Sequence, residues 1–134
     1  MASPSARHVT STTERDVLVL TITEPQLHGD RLIRALDHQL KESTARPDVK
    51  KVVLDLRHVT ALSSAALRPL VGLRRNLEAK GGQLVVCNLA TVVAETFRAT
   101  RLLSTSRISS SAGFAVQPTL DAALASLRTD ETAE

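Results

Sequence analysis

The sequence has few aromatic residues and a single cysteine. Among its 134 residues there is no Trp or Tyr, and Phe97 and Phe114 are the two phenylalanines. The core therefore has to be packed from aliphatic side chains, and a surface that stacks nucleic-acid bases on aromatic rings is hard to build. The lone Cys87 excludes an intramolecular disulfide, which favours a reducing cytoplasm as the location.

Long apolar runs and a strong net charge are also missing. No stretch approaches the roughly 18 residues of a membrane-spanning helix, and the residues after Met1 contain no apolar signal segment. The net charge of +3 is too small to predict nucleic acid as a partner. We expect one domain over residues 1–134, with an ordered core at about 8–128 and loose tails at 1–6 and 129–134.

The sequence contains no recognisable active site. The four histidines lie in separate predicted elements without ligand spacing, which favours surface residues over a metal site: His8, His28, His38 and His58. Asp55 lies in a predicted strand and has no identifiable catalytic partner, so we expect it to contact a loop backbone or an arginine. We therefore predict a protein that is not an enzyme and has no metal or cofactor.

The most informative stretch runs from Lys51 to Gly82. Its run Val-Val-Leu-Asp-Leu predicts a strand buried on both faces over Val52–Leu56, flanked in space by Val17–Ile22 and Leu84–Cys87. Ser63 and Ser64 then precede apolar residues at helical spacing, namely Ala66, Leu70, Leu73 and Leu77. The serines either cap this helix or present a hydroxyl where unpaired N–H groups could accommodate a phosphate.

Pro69 falls early in this helix and lacks the N–H that would bond to Ala65. One outcome is a distorted first turn. The other is a regular helix that starts near Arg68, preceded by an irregular or 3₁₀ turn over Ser63–Leu67. We favour a tight first turn that is kinked at the proline.

The remaining elements follow from apolar periodicity and from breaker residues. We predict strands at His8–Thr13, Val17–Ile22 and Leu84–Cys87, and a weak edge strand within Leu102–Ser111 that ends near Val116. We also predict a helix capped by Asp30, a short helix at Thr91–Arg98 and a last helix that opens at Pro118–Thr119.

The helix that follows Ser63 and Ser64 has a basic side, formed by Arg68, Arg74 and Arg75. This side is either a solvated face or a surface for an acidic partner.

The order of these segments resembles the STAS domains of bacterial anti-sigma factor antagonists. The resemblance covers about Asp16–Leu127, and Val52–Phe97 follows the family pattern without a gap. It implies an α/β fold, with a mixed sheet of four or five strands and about four helices packed mainly on one face.

In that family the loop after the central strand reads Asp-Ser-Ser/Thr-Gly-Leu, and a partner kinase phosphorylates the serine that follows the aspartate. Ser64 matches that serine, Ser63 replaces the aspartate, and Ala66 replaces the glycine. A Gly-x-Leu-Asp signature that usually faces the partner is absent at positions 26–29. The resemblance therefore implies phosphorylation of Ser64, with Ser63 as the second choice.

The resemblance also implies the partners. The unmodified form would bind an anti-sigma factor that is a serine kinase, and a PP2C-type phosphatase would reverse the modification. The expected contact residues are Ser63, Ser64, Ala65, Arg68 and His28. A weak homodimer is a further expectation. The alternative is a STAS scaffold or ligand-responsive module that is not phosphorylated, in a sensor or transporter assembly.

Overall fold

A five-stranded mixed sheet lies at the centre of the structure, a computed structural model that describes residues 8–99 and 115–132. The strand order is β1-β2-β4-β6-β7. Strand β1 (Val9–Glu14) pairs antiparallel with β2 (Val17–Ile22), whereas β4 (Lys51–Asp55), β6 (Gln83–Cys87) and β7 (Ala115–Gln117) extend the sheet in parallel. Strands β3 (Gln26–Leu27) and β5 (Ala61–Leu62) form a separate two-stranded sheet.

The interior position predicted for the central strand is confirmed. Strand β4 pairs with β2 on one side and with β6 on the other, so that Leu54 is level with Leu20 and Val86. From Val52 to Leu56 every residue is buried. A continuous apolar run without alternation has this property because helices cover both faces of the sheet.

Four helices of the described chain cover the sheet. Helices α1 (Asp30–Ser43), α2 (Leu67–Ala79) and α3 (Thr91–Ala99) contribute to one large core cluster, which also contains Leu20 and Leu54. Helix α4 (Leu120–Thr132) packs on the opposite face, against Val53 and its neighbours in the sheet. The predicted α/β fold with helices mainly on one face is confirmed.

The start of α1 differs from the prediction. Gly29 is the N-cap with φ 93° and ψ 134°, and Asp30 is the first helical residue, so the assignment of Asp30 as N-cap is wrong. The reason is conformational, because the chain enters the helix through a positive φ that glycine adopts without strain. Asp30 still interacts favourably with the helix dipole as an acid in the first turn.

At the start of α2 the structure has the second arrangement that Pro69 allows. A 3₁₀ turn spans Ser64–Ala66 and is closed by the Ala66 N–H donating to the Ser63 carbonyl at 3.0 Å. Regular α-helix begins at Leu67, with the buried Pro69 as its third residue, so the tight turn that we favour is present but ends before the proline. Because Pro69 cannot donate to Ala65, the chain closes this turn with shorter-range bonds instead.

The last two elements agree with the prediction as far as the structure describes them. Strand β7 is an edge strand that includes Val116, while residues 102–111 lie outside the described residues. Thr119 caps α4, since its Oγ1 accepts the Ala122 N–H at 3.1 Å and its carbonyl accepts the Ala123 N–H at 3.0 Å. The predicted tail at 1–6 and the last two residues also lie outside the described part.

Candidate functional site

Two very short strands bring the predicted site segments together. Strand β3 (Gln26–Leu27) pairs in parallel with β5 (Ala61–Leu62), apart from the main sheet. The pairing continues where the Ser63 N–H donates to the Leu27 carbonyl at 2.9 Å. His28 and the serine pair, which are distant in sequence, are therefore neighbours at the ends of this ribbon.

Ser64 is presented to solvent on an otherwise fixed turn. It is the first residue of the 3₁₀ turn, and both Ser64 and Ala65 are exposed. The next two residues, Ala66 and Leu67, are buried in the core and anchor the turn. Arg68 follows Ser64 by four residues, is the second residue of α2 and is also exposed.

Ser63 has a different environment from Ser64. Its Oγ is buried and has no hydrogen-bond partner among the described residues. Ser63 is the N-cap residue of the 3₁₀ turn, but its side chain makes no capping hydrogen bond. The interpretation of the serine pair as an ordinary side-chain helix cap is therefore wrong, because the Ser63 hydroxyl lies in the interior and Ser64 is already within the turn.

Ala66, which replaces the glycine of the family motif, causes no backbone strain at this turn. Ala66 occupies that position with φ −68° and ψ −16°, a right-handed conformation that any L-residue adopts. In the preceding loop, the exposed His28 contacts Gln26 through its Nε2, 3.3 Å from the Gln26 Oε1. The segment that replaces the Gly-x-Leu-Asp signature is thus ordered next to the serine turn, with different chemistry.

The basic side predicted on α2 requires one correction. Arg68 and Arg75 are exposed, but Arg74 is buried at 5% exposure. Its position explains this, since Arg74 lies four residues after Leu70 and three before Leu77, both of which face the core. The exposed basic surface of this helix therefore consists of Arg68 and Arg75.

The buried Asp55 holds the end of β4. Its Oδ1 accepts the Arg57 backbone N–H at 3.0 Å and the Asn88 amide at 2.9 Å, while its Oδ2 accepts the Arg57 Nε at 2.9 Å. Burial alone would raise the pKa of Asp55, but the hydrogen bonds from Asn88 and Arg57 and the guanidinium charge outweigh it and lower the pKa. The expected contacts with a loop backbone and an arginine are confirmed.

Three other features were sought among the described residues: a metal site, a reactive thiol and a membrane-spanning helix. Residues 8–99 and 115–132 contain no group of three His, Cys, Asp or Glu side chains placed to hold a metal ion. Burial, followed by the nearby Asp55 charge, raises the pKa of the Cys87 thiol to about 12, so this thiol is not a nucleophile at neutral pH. No helix in the described part has the length and apolar content to cross a membrane.

The chain belongs to the STAS domain family, whose family model matches residues 8–121. Its structure is similar to a variant of RsbS from Moorella thermoacetica, with a TM-score of 0.73 and 20% identity over 93% of this chain and 98% of the other. It is also similar to the phosphorylated form of the Bacillus cell fate determinant SpoIIAA, with a TM-score of 0.62 and 13% identity over 90% and 99% of the chains.

A third similar structure comes from a transporter. The murine anion transporter Slc26a9 matches with a TM-score of 0.68 and 16% identity, over 85% of this chain but 18% of the transporter chain. At these identities the similarities establish a shared fold.

Proposed function

We propose that the protein is an anti-sigma factor antagonist whose binding to an anti-sigma factor is controlled by phosphorylation of Ser64. The observation that carries the proposal is the exposed residue Ser64 on a turn anchored by the buried Ala66 and Leu67. The family membership and the phosphorylated form of SpoIIAA among the similar structures support it.

The surroundings of Ser64 are suited to a phosphate. The first turn of α2 contains no acidic residue, and the exposed Arg68 lies four residues beyond the serine. A phosphate on Ser64 would add about two negative charges just before the start of α2, where N–H groups are unpaired and a cation follows closely in the sequence. The folded turn would accommodate it, while a partner packed on the same surface would face a bulky hydrated anion.

The proposed binding surface consists of the exposed groups around this turn. It includes Ser64, Ala65, Arg68 and His28, with Ser63 beneath them. A serine kinase that is itself the anti-sigma factor would bind the unmodified form, and a PP2C-type phosphatase would restore that form. Ser63 is the second choice for modification, and its buried hydroxyl makes it the poorer acceptor.

The assignment of the modified residue is tested by incubating the protein with ATP and each candidate anti-sigma factor kinase, followed by mapping of the phosphate by mass spectrometry. We expect the phosphate on Ser64 in the parent protein and no modification of the Ser64→Ala variant. The Ser63→Ala variant should still be modified. Equal modification of Ser63 in the parent and in the Ser64→Ala variant would contradict the assignment.

The effect on binding is tested with Ser64→Glu, which mimics part of the added charge. We expect at least a ~10-fold weaker affinity for the anti-sigma factor, because the new charge lies in the interface. Ser11→Glu is the matched control, since Ser11 is exposed on β1 at the far edge of the sheet. The control should bind like the parent protein, and equal effects of both variants would refute an interface at Ser64.

A second candidate function is a STAS scaffold or ligand-responsive module that is not phosphorylated. The replacement of the family aspartate by Ser63 favours it, as does the similarity to a domain within Slc26a9. Under this function no kinase would modify either serine, and Ser64→Glu would leave every interaction unchanged. The two experiments above therefore separate the candidates.

A further inference from the structure

Four exposed arginines lie on the outer sides of α1 and α2: Arg31, Arg34, Arg68 and Arg75. Among the described residues, none of the four forms an ion pair or a side-chain hydrogen bond. By contrast, the Asp37 and Glu42 carboxylates on α1 are paired with Lys41 and His38 at 3.0 Å and 3.9 Å. We refer to the four unpaired arginines as the arginine face.

The fold makes the arginine face one continuous surface. Helices α1 and α2 connect successive parallel strands of the same sheet, so both begin at its carboxyl edge and run side by side. Packed helices lie about 8–10 Å apart, which places the two pairs of arginines within a single protein interface. Ser64 lies at the end of this surface, where α2 begins.

Two of the four arginines occupy positions that helix stability does not favour. Arg31 and Arg68 are each the second residue of their helix. The N-terminal end of a helix is the positive end of its dipole, so a cation there is unfavourable. Residues that violate a local rule without a compensating contact are typical of functional surfaces.

We infer that the arginine face binds an acidic surface of a protein partner. This inference rests on the proposed function for the identity of that partner, and it adds the chemistry by which the partner is recognised. Steering between complementary charges would raise the rate of association. A phosphate on Ser64 would cancel part of the positive charge of the same surface.

The surrounding residues favour a protein over a nucleic acid or a membrane. Asp30 and Glu78 are exposed at the margins of the arginine face, and they would repel a continuous row of phosphates. Among the described residues, Val92 on α3 is the only exposed large hydrophobic residue. The arginine face therefore lacks the apolar side chains that insert into a lipid surface.

The test uses the full unphosphorylated chain and a fluorescein-labelled decaglutamate peptide as the acidic probe, followed by fluorescence anisotropy at low ionic strength. The face variant carries Arg31→Gln, Arg34→Gln, Arg68→Gln and Arg75→Gln. A control variant removes the same number of positive charges at exposed positions elsewhere: Arg15→Gln, Arg46→Gln, Lys50→Gln and Arg98→Gln. Thermal melts of both variants establish that they are folded.

We expect the face variant to lose at least ~10-fold in affinity for the peptide and the control variant less than ~3-fold, because steering depends on where the charges lie. Equal losses in both variants would overturn the inference. Tighter binding to phosphatidylglycerol vesicles or to a 20-base-pair DNA duplex, lost in the face variant, would also overturn it and would assign the surface to a membrane or to nucleic acid. No arm of this test requires Ser64 to be phosphorylated, so its failure is distinguishable from failure of the proposed function.

A single substitution distinguishes a role in partner binding from a role in folding, because it compares peptide affinity with melting temperature. Arg68→Gln removes a cation from the start of α2, so its melting temperature should be unchanged or slightly higher while its affinity for the peptide falls. A lower melting temperature together with unchanged affinity would show that Arg68 serves the fold, and the inference would be wrong for that residue.

Discussion

Asp55 shows how a single buried carboxylate organises the chain below the site. Its two oxygens accept three hydrogen bonds, from the Arg57 backbone, the Arg57 Nε and the Asn88 amide, and the Arg57 Nη2 forms an ion pair with Oδ2 at 2.9 Å. Asn88 adopts a φ of 59°, an unusual conformation for a residue other than glycine. The carboxylate therefore fixes the direction in which the chain leaves both β4 and β6.

We predict that Asp55→Asn lowers the free energy of unfolding by about 2–3 kcal/mol at pH 7, because an amide cannot accept all three hydrogen bonds and carries no charge to pair with the Arg57 guanidinium. The pKa of Asp55 is lowered in the folded protein, so the carboxylate contributes its stability above the unfolded value of about 4. That contribution is lost as the pH falls through the folded pKa. Urea denaturation should show a smaller difference in the free energy of unfolding between variant and parent at pH 3 than at pH 7.

Asp48→Asn is the matched control for this prediction, since the Asp48 side chain is 76% exposed and lies 3.7 Å from Arg46. We expect it to change stability by less than about 1 kcal/mol. A loss as large as that of Asp55→Asn would show that burial of the carboxylate is not the cause.

Cys87 is predicted to be unreactive in the folded protein. Burial raises the pKa of its thiol to about 12, so the reactive thiolate is absent at pH 8. A disulfide reagent such as Ellman's reagent should modify it only after unfolding in urea. In a Val92→Cys variant, whose new thiol replaces a 54% exposed side chain, one equivalent should react at once in the native state. Rapid native reaction of the parent protein would contradict the burial of Cys87.

At the level of elements, Gly72 and Gly82 form a natural pair for testing the turn after α2. A Cβ at Gly82 would overlap the Lys50 carbonyl oxygen, whereas a Cβ at Gly72 meets no atom within 4 Å. We expect Gly82→Ala to destabilise the protein by at least ~2 kcal/mol, since backbone atoms would have to move. Gly72→Ala lies within α2 and should stabilise by about 0.5–1 kcal/mol.

Thermal melts of the two glycine variants should therefore shift in opposite directions, by a few degrees for each kcal/mol. A destabilised Gly72→Ala variant would mean that α2 packs more tightly along its outer side than the structure shows. An unchanged Gly82→Ala variant would mean that the Lys50 carbonyl can move freely.

The elements that the sequence predicted well are those with a strong periodic or continuous apolar pattern. The run around Leu54 required an interior strand, and Pro69 indicated an irregular start for α2. The β3–β5 ribbon was missed because two-residue strands have no periodicity to detect. The burial of Arg74 could have been predicted from its spacing to Leu70 and Leu77, but its charge obscured the pattern.

The site was predicted less completely than the fold, for a physical reason. Alignment with a family motif proposed Ser64 and the loop that contains His28 as parts of a candidate site. It could not show that the Ser63 hydroxyl is buried, or that Arg31 and Arg34 extend the basic surface onto α1. These properties depend on how two helices and a ribbon pack, and packing between distant segments leaves no local sequence signal.

At the scale of the whole molecule, α4 closes a second, smaller core. Val17, Val53 and Val85 on the far face of the sheet are buried together with Leu127. Without α4 these strands would expose an apolar surface, although the larger core on the other face would remain. The parallel part of the sheet thus depends on helices from both sides.

We predict that Leu127→Ala destabilises the protein by about 2–4 kcal/mol, because it leaves a cavity beneath the sheet. Leu124→Ala removes the same atoms from the same helix at a partly buried position, so it should lower the free energy of unfolding by clearly less. Urea denaturation of both variants measures the difference. Equal costs would show that α4 packs through a different face.

The 3₁₀ turn also has a consequence for the proposed phosphorylation of Ser64. The turn is held by the Ser63–Leu27 hydrogen bond on one side and by the buried Leu67 on the other, so Ser64 is not free to adopt an extended conformation. A kinase that modifies it must therefore recognise a folded surface assembled from several segments, and not a short linear motif. A synthetic peptide covering residues 58–72 should be a far poorer substrate than the intact domain, and a comparison of their kcat/KM values with the same kinase would measure that dependence on folding.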